Sequence, residues 1–323
     1  MIESTANKLL GKSENTTVYV CVLYYFIMAI FVPGFFTIHN SWNLLFNLLP
    51  LLIVAIGQTY VMLGAGIDLS VTSIVAMTSI IGGYCLSDIT AFIEPVWLRI
   101  VFSLGAMLLT GALIGLINGV SVAKLGMPAF MVTLTTMMLF SGTAIWLTRS
   151  QNSYMLPESF VNMPYTSLWF IPLPLLIGLV VVGIAYFLLN NTLYGEWLPS
   201  VGMNSKTAAI SGVKVQSTTI WSYIICGCCA AVASILYTAR LETGSPVMGQ
   251  HILLDVIGSV VIGGTSLFGG VGKIQWTVIG AVFIIMLDNS LNLMGMSYFL
   301  IMIIKGLVIL LAAMMNLLKE GKY

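Results

Sequence analysis

The stretch NLLFNLLPLLIVAIGQTYVMLG, residues 43–64, decides the fold of this chain. It carries no charged residue, and it is long enough to cross the hydrocarbon core of a bilayer, which takes roughly 20 apolar residues in a helix. The whole chain has the same character, because 59% of its 323 residues are hydrophobic and 7% are charged. A soluble domain has about 25% charged residues. So few charges could not cover the surface of a soluble protein, and we predict a membrane protein.

Ten segments of the chain are predicted to be membrane spans. They are residues 18–36, 43–64, 69–86, 98–123, 128–149, 168–190, 217–239, 251–265, 274–294 and 297–318. The third and the eighth are short and bounded by glycine, which favours broken or tilted helices. The predicted fold is therefore all-α and polytopic, with about ten transmembrane helices, in a single transmembrane domain over residues 1–323.

The basic residues predict the orientation, because cytoplasmic loops carry an excess of Lys and Arg. With the N-terminus in the cytoplasm, the lysines outside the spans fall on that side and three arginines fall on the other. These residues are Lys8, Lys12, Lys124, Lys206, Lys214, Lys273, Lys319 and Lys322 against Arg99, Arg149 and Arg240. We therefore predict that both termini are cytoplasmic.

A weak internal repeat relates two parts of the chain. After a shift of 169 positions, TGALIGLINGVSVAKLGMPAF (110–130) lies on IGAVFIIMLDNSLNLMGMSYF (279–299), with Gly-Ala, Gly-Met and Phe in common. Internal repeats are common in transporters, where the repeat interface often forms the solute path. Chance similarity between two apolar strings is the alternative interpretation.

Two charges are predicted to lie inside the bilayer, Asp288 in the ninth span and Lys305 in the tenth. A tight turn near 295–297 joins these spans, so the two side chains would stand level in an antiparallel hairpin. An unpaired charge in the bilayer is costly, and pairing relieves that cost. We predict a structural ion pair between Asp288 and Lys305. A proton relay is the alternative, which is disfavoured because no histidine or second acid is expected nearby.

The segment GAGIDLSVTS, residues 64–73, places Asp68 just before the third span. Its carboxylate could cap that helix by accepting hydrogen bonds from the N–H groups of Ser70 or Val71. A direct role in the solute path is the alternative. Irregular backbone at membrane depth is tolerated only where it is buried in protein or lines a cavity.

Two further features of the spans could serve packing or function. Gly111, Gly115 and Gly119 recur at a spacing of four, which places them on one helix face and predicts close packing against another helix. Thr133 and Thr135 open the fifth span. Their hydroxyl groups can bond to carbonyls of their own helix or to a hydroxylated solute.

The stretch VVIGGTSLFGGVGKIQW, residues 260–276, resembles a phosphate-binding loop only in composition. That motif requires GxxxxGK followed by Ser or Thr, whereas Ile274 follows Gly272-Lys273 here and Leu267 occupies the place of the first glycine. We predict no nucleotide site in this chain. The glycines instead predict a tight turn between the eighth and ninth spans.

Catalytic and metal sites are not predicted. An enzyme would need convergent acids, histidines or a nucleophile with its base, and His39 and His251 are far apart in the sequence. The five cysteines lack the paired spacing of a zinc site. A self-contained secondary transporter or channel for a small polar solute is an alternative function, although only Asp288 and Lys305 are placed to couple an ion.

Four strings together carry a resemblance to a known family: GAGIDLSVTS, NGVSVAKLGMPAFMVTL, VGMNSKTAAISGV and VVIGGTSLFGGVG. In order and spacing, from residue 35 to residue 318, they resemble the ribose/xylose/galactoside-type permeases of bacterial ABC sugar importers. The resemblance implies a permease subunit of the inner membrane that imports a pentose, a hexose or a similar small polar solute. It implies no cofactor in this chain and no nucleic acid. The implied partners are ABC ATPase subunits that bind ATP and magnesium, an extracytoplasmic solute-binding protein, a second permease copy and lipid.

The resemblance also assigns roles to residues. Segment 190–217 is implied to be a cytoplasmic coupling loop, in which the patch Ser205–Ile210 predicts a short helix that docks on a soluble partner. The residues that contact the ATPase would be Gly195, Glu196, Gly202, Asn204, Ala208, Ala209 and Gly212. The predicted translocation path or gate comprises Asp68, Ser70, Asn118, Thr133, Thr135, Gly263, Gly264, Gly269 and Gly270.

The chain departs from the family pattern at four positions. Glu196, Ser205, Thr72 and Leu253 stand where the family has Arg, Pro, Gly and Glu. The departure at Glu196 predicts an ATPase partner with a compensating basic residue.

Overall fold

The computed structural model describes residues 16–90, 93–169 and 171–320. Its helices are α1 (Thr16–Phe31), α2 (Ile38–Leu63), α3 (Val71–Leu86), α4 (Val96–Ala123), α5 (Ala129–Thr148), α6 (Glu158–Val161), α7 (Leu173–Asn190), α8 (Leu193–Met203), α9 (Ser205–Ile210), α10 (Val215–Leu241), α11 (Ile252–Ile262), α12 (Ile274–Leu293) and α13 (Tyr298–Glu320). A 3-10 turn (Met163–Tyr165) and an antiparallel hairpin of β1 (Ser167–Leu168) and β2 (Ile171–Pro172) lie before α7.

Ten of the described helices are apolar, which confirms the predicted all-α polytopic membrane fold. Seven of them are long enough to cross a membrane by length and composition, namely α2, α4, α5, α7, α10, α12 and α13. The shorter apolar helices are α1, α3 and α11. Helix α11 has only 11 residues, so at 1.5 Å per residue it covers about half of the hydrocarbon core.

The helices form two groups, α2–α5 and α10–α13, that make corresponding contacts. Helix α10 packs on α3 and α4, and in the same way α2 packs on α11 and α12. Helix α3 contacts α4 and α5, just as α11 contacts α12 and α13. The turns before α5 and α13 also match, because Gly126 and Gly295 have positive φ angles of 68° and 73°. These are the two turns that the sequence repeat aligns.

The glycine face of α4 packs directly on α10. A Cβ atom on Gly115 would overlap the carbonyl oxygen of Tyr223 and lie 2.9 Å from its carbonyl carbon. A Cβ atom on Gly119 would lie 2.8 Å from the Cα atom of Ile220. A side chain at these positions would force the two backbones apart, so these glycines set the distance between α4 and the central helix α10.

Polar side chains fix where two of the helices begin. Thr37 caps α2, because its hydroxyl oxygen accepts a hydrogen bond from the N–H of Asn40 at 3.2 Å. Asn204 caps α9 in the same way, with 3.0 Å between its Oδ1 atom and the N atom of Thr207. A cap of this kind satisfies a donor that the first helical turn would otherwise leave unpaired. Helix α9 coincides with the patch Ser205–Ile210 that the sequence predicts to be helical.

Several predicted boundaries are wrong. The first span, predicted over 18–36, ends as a helix at Phe31, and the second, predicted from residue 43, begins at Ile38. Ser167–Leu168 pairs with Ile171–Pro172 in the short hairpin, and the sixth span, predicted from residue 168, begins at Leu173. Pro174 lies in the first turn of that helix, where the missing N–H of proline costs nothing. Segment 190–217 was expected to be a loop with one short helix, but it also contains α8, which extends through Pro199.

Gly115→Ala is expected to destabilise the protein by about 1–3 kcal/mol, because the added methyl group overpacks the interface of α4 and α10. The measurement is the thermal unfolding midpoint in detergent. Gly105→Ala is the matched control, since Gly105 lies on the same helix and its Cβ position has no atom within 4 Å. That change should leave the midpoint unchanged or raise it slightly. Equal losses in both variants would contradict the close approach.

Candidate functional site

The candidate site is built around the break between α2 and α3, residues 64–70. Lys124, Lys214 and Lys273 lie in the loops at this end of the bundle and Lys206 lies in the short helix α9; we call it the lysine-rich end. In the break, Asp68 Oδ1 accepts two hydrogen bonds from Ser70, one from the N–H at 2.9 Å and one from the hydroxyl at 2.6 Å. The carboxylate thus holds the turn from which α3 starts, and the N–H of Ser70 is one of its two predicted donors.

Three neighbouring helices supply polar partners to this turn. From α4, the Asn118 amide donates a hydrogen bond to the hydroxyl oxygen of Ser70 at 2.8 Å. From α5, the Thr133 hydroxyl lies 3.0 Å from the carbonyl oxygen of Ile67 and can donate to it. From α2, Gln58 pairs with the backbone of Asp68 at 3.1 and 3.2 Å in the orientation that satisfies both of its amide atoms. The predicted residues Asp68, Ser70, Asn118 and Thr133 are therefore brought together.

The side chains of this site are enclosed. Asp68, Ser70 and Asn118 have no exposed surface, so a solute does not reach them in this conformation. Asp68 Oδ2, Asn118 Oδ1 and the Tyr223 hydroxyl are buried without a hydrogen-bond partner among the described residues. Burial raises the pKa of Asp68 to about 6, while the hydrogen bonds from Ser70 oppose that rise. We call Gln58, Asp68, Ser70, Asn118 and Tyr223 the buried polar cluster.

Thr135 does not join this cluster. Its side chain is on the exposed surface of α5, and its hydroxyl donates a hydrogen bond to the carbonyl oxygen of Met131 in its own helix at 2.6 Å. Thr133 and Thr135 therefore lie on different faces of α5, although the sequence placed them together.

The glycine loop, residues 263–273, lies against the same break. The N–H of Gly270 donates a hydrogen bond to the carbonyl oxygen of Leu63 at 2.9 Å, and a Cβ atom on Gly269 would lie 2.8 Å from the backbone of Ala65. Gly263 instead contacts the backbone of Trp276 at the start of α12, and the Cβ position of Gly264 has no neighbour within 4 Å. Gly269 and Gly270 thus belong to the site, whereas Gly263 packs on α12.

The segment that the resemblance assigns to coupling lies next to this loop. Gly195 allows a tight turn between α7 and α8, because a Cβ atom there would overlap the backbone of Leu189. Gly202 contacts Leu63 and Gly270, Ala208 is buried, and Asn204 caps α9. Glu196, Ala209 and Gly212 are exposed, and Gly212 has a positive φ angle of 86°.

The predicted partners Asp288 and Lys305 lie in contact, and a third residue joins them. Lys305 Nζ is 3.0 Å from Asp288 Oδ1 and also 3.0 Å from Asp255 on α11. The expectation that no second acid lies nearby is wrong, because α11 packs on both α12 and α13. Asp255 falls inside the predicted eighth span, but it is 50 positions from Lys305 in the sequence, and no local spacing indicates their contact. We call Asp255, Asp288 and Lys305 the ion triad.

A cavity of about 1020 Å³ opens at the other end of the bundle. It lies between the ends of α3 and α5 and the segment that follows α5. Its apolar lining includes Ile80 and Leu147, and its polar lining includes Tyr84, Gln151 and Asn152. No pattern in the sequence indicates this cavity, because its walls come from segments far apart in the chain.

Comparison with known proteins settles the family. Residues 40–313 match the family described as the permease component of branched-chain amino acid transport systems. The chain belongs to this permease family. It is 36% identical over 301 residues to the ribose import permease protein of Escherichia coli strain K12, a match that covers 91% of this chain and 90% of the relative.

Two other relatives match the permease at similar length. The D-allose transport system permease protein of Escherichia coli strain K12 is 32% identical over 306 residues, covering 92% of this chain and 91% of the relative. The L-arabinose transport system permease protein of the same strain is 31% identical over 292 residues, covering 90% and 87%. No solved structure matches the chain. The resemblance to sugar-importer permeases is confirmed, and the permease is a multi-pass inner-membrane protein of a transport family.

The ion triad predicts an unequal response to charge removal. Lys305→Met is expected to destabilise the permease by about 3–5 kcal/mol, because two partly buried carboxylates lose their cation. Adding Asp288→Asn should restore only part of that loss, since Asp255 stays charged, and adding Asp255→Asn as well should restore most of it. Thermal midpoints in detergent measure the series.

Asp288→Asn alone is the control for this series, because it leaves the contact of Lys305 with Asp255 intact. Its effect should be small. Full recovery in the double variant would show that Asp255 is not a partner, and additive losses throughout would show that the three charges do not interact.

The buried carboxyl of Asp68 predicts a dependence of stability on pH. Because folding raises its pKa from 3.8 to about 6, the folded state holds a proton that the unfolded state releases between these values. The contribution of Asp68 to stability is therefore largest below pH 3.8 and is lost as the pH rises to about 6. Asp68→Asn removes this titration and keeps an Oδ1 acceptor for Ser70. The difference in midpoint between the two proteins, measured from pH 4 to pH 7, should change over this window; a constant difference would contradict the assignment.

Proposed function

We propose that this permease is the transmembrane subunit of an ABC importer that moves a monosaccharide, a pentose or a hexose, or a similar small polar solute into the cytosol. The family description alone does not select a sugar, because it refers to branched-chain amino acids. The observation that carries the proposal is similarity over nearly the full length to relatives named for ribose, D-allose and L-arabinose. ATP hydrolysis in partner subunits would drive the transport.

The coupling segment supports an ATPase partner at the lysine-rich end. Its two helices, α8 and α9, expose apolar side chains at the end of the bundle: Ile210 is 88% exposed and Met203 is 71% exposed. Lys206 and Glu196 flank them and are also exposed. An exposed apolar patch rimmed by polar residues is typical of a protein interaction site. We therefore assign this surface to the ATPase, which makes the lysine-rich end cytoplasmic, in agreement with the positive-inside rule.

The opposite end then faces the solute-binding protein. The cavity at that end combines the aromatic ring of Tyr84 with the amide groups of Gln151 and Asn152. Aromatic faces and amide groups are suited to a solute that has both apolar C–H surface and hydroxyl groups. The cavity would receive the solute when it leaves the binding protein.

The translocation path is proposed to run between two copies of the permease. At the buried polar cluster the interior of this chain leaves no room for a solute, because Asp68, Ser70 and Asn118 have no exposed surface. The hydroxyl-bearing surface of α5 with Thr135, by contrast, points outward. A second copy packed against that surface would enclose hydroxyl groups suited to a polar solute, and lipid would cover the remaining apolar faces.

The test of the ATPase contact uses charge insertion into the apolar surface of α9. Ile210→Asp should abolish co-purification of the ATPase subunits from detergent extracts, because a carboxylate would be buried in the contact without a partner. Val247→Asp is the control, since Val247 is an exposed aliphatic residue in the loop at the opposite end. Loss in both variants, or in neither, would contradict the assigned surface.

Transport in liposomes separates the two candidate functions. We expect uptake of radiolabelled ribose, D-allose or L-arabinose only when the ATPase, ATP and the binding protein are all present. Uptake by the purified permease alone, driven by an ion gradient, would refute the importer and support a secondary transporter. L-Leucine is the competing substrate in the same assay, because the family description names branched-chain amino acids.

A further inference from the structure

Three separate segments of the permease meet through backbone atoms at the lysine-rich end. The end of α2 contributes the carbonyl of Leu63, the coupling segment contributes Gly202, and the glycine loop contributes Gly270. The N–H of Gly270 donates a hydrogen bond to the Leu63 carbonyl at 2.9 Å. A Cβ atom on Gly202 would overlap that same carbonyl oxygen and lie 2.6 Å from the N atom of Gly270. We call Leu63, Gly202 and Gly270 the glycine junction.

Two neighbouring contacts extend the glycine junction. A Cβ atom on Gly269 would lie 2.6 Å from the Cβ of Ala65, and one on Gly270 would lie 2.5 Å from Cγ of Met203. Gly269 and Gly270 also have positive φ angles of 89° and 78°, which residues other than glycine rarely adopt. The loop therefore fits against the break and the coupling segment only because it has no side chains at these positions.

Each segment at the junction leads to a different part of the permease. Gly202 is in α8, which leads through Asn204 into the exposed helix α9. Leu63 precedes the break that holds Asp68 and the buried polar cluster. Gly270 belongs to the loop that joins α11 to α12. The junction is thus the point where three segments meet that lead to the surface assigned to the ATPase, to the buried polar cluster and to the short helix α11.

Backbone contact of this kind leaves little room for independent movement. A flexible side chain between two segments can change rotamer and absorb a displacement, whereas two main chains in direct contact must move together or separate. Packed protein interiors have low compressibility and transmit strain. Small shifts at one site can therefore become larger rearrangements of packed elements.

We propose that the glycine junction is the relay that transmits movement of the coupling segment to the α2–α3 break and to α11. This inference rests on the proposed function, because it takes the ATPase to dock on α8 and α9. Gly270 is a positioning residue in this account, and so is Gly202, which the resemblance also assigns to the ATPase contact. Their role is to keep three main chains close enough to move as one.

The test is to add single methyl groups at the junction and to measure docking and transport separately. Gly270→Ala should retain the ATPase subunits on co-purification and retain ATP hydrolysis. Gly202→Ala is followed by transport only, because the resemblance assigns Gly202 to the ATPase contact. Uptake of the sugar into liposomes should fall by roughly tenfold or more. Typical coupling free energies between two sites correspond to changes of about 5–150-fold. Hydrolysis would then continue without transport.

A matched control separates the junction from backbone strain. Gly126 lies in a loop at the same end and has a positive φ angle of 68°, but its Cβ position has no neighbour within 4 Å. Gly126→Ala therefore carries the same strain as Gly270→Ala without the contact, and its transport should match that of the unchanged permease. Equal loss in this control would overturn the proposal, because strain alone would then explain the effect.

A second-site change provides a rescue. In Gly270→Ala the new methyl group meets Cγ of Met203, and Met203→Ala removes that atom. The double variant should therefore recover transport to the level of Met203→Ala alone. If Gly270→Ala alone does not fold, the double variant still tests the relay, because it lacks the clash between the new methyl group and Cγ of Met203.

The outcomes distinguish this inference from the function on which it rests. Full transport in both Gly202→Ala and Gly270→Ala would overturn the relay. Loss of the bound ATPase in Gly270→Ala would also overturn it, because the junction would then be part of the docking contact. Absence of any ATPase from preparations of the unchanged permease, together with uptake by that permease alone, would overturn the proposed function itself.

Discussion

The bilayer offers no water to hydrogen-bond an exposed N–H or carbonyl group, and the rest of the structure depends on that constraint. The long helices satisfy it internally. Buried main chain outside the helices, in residues 64–70 and 263–273 at the lysine-rich end, needs partners as well. Gly270 donates to Leu63 at the end of α2, and Ser266 donates to Val271 within its own loop at 2.8 Å. Gln58 pairs with the backbone of Asp68 for the same reason. The breaks are therefore packed together, and the polar side chains that serve them are buried with them.

Glycine serves this structure in two physically different ways. In α4, Gly115 and Gly119 bring one regular helix against another, and the result is a fixed distance between α4 and α10. At the glycine junction, Gly202 and Gly270 bring irregular segments into contact where helix ends, a loop and the coupling segment converge. A methyl group in α4 opposes the middle of a regular helix, whereas one at the junction opposes the end of α2, the glycine loop or α8. The first site therefore governs stability, and the second is suited to govern coupling.

The membrane fold could be predicted from the sequence because hydropathy and length determine a span locally. All ten apolar helices overlap the predicted segments, and even the short α3 and α11 were indicated by their flanking glycines. The hairpin at 167–172 was missed because its apolar residues continue the hydropathy of α7. Helix α8 was missed because Pro199 and two glycines argue against a helix. The hydrogen bond from Ser70 to Asp68 could be predicted, because the two residues are close in the sequence. The contacts of Asp255 with Lys305 and of Gly202 with Leu63 could not, because they join distant segments and no local pattern indicates them.

The ion triad and the glycine junction hold the two ends of the same short helix. Near its start, α11 carries Asp255, which forms an ion pair with Lys305 of α13. Lys305 also pairs with Asp288 of α12, so the triad connects α11 to both helices. After its last residue, Ile262, the chain enters the loop that reaches the junction. A helix of 11 residues is too short to span the bilayer, so both of its ends lie where they can be held by protein. Because removal of one partner from a buried ion pair leaves an uncompensated charge, the contacts of Asp255 and Asp288 with Lys305 resist displacement of the triad end. A displacement that arrives through the glycine loop would therefore tilt α11 about the triad instead of translating it, and the contact of α11 with α2 would carry that tilt back toward the buried polar cluster.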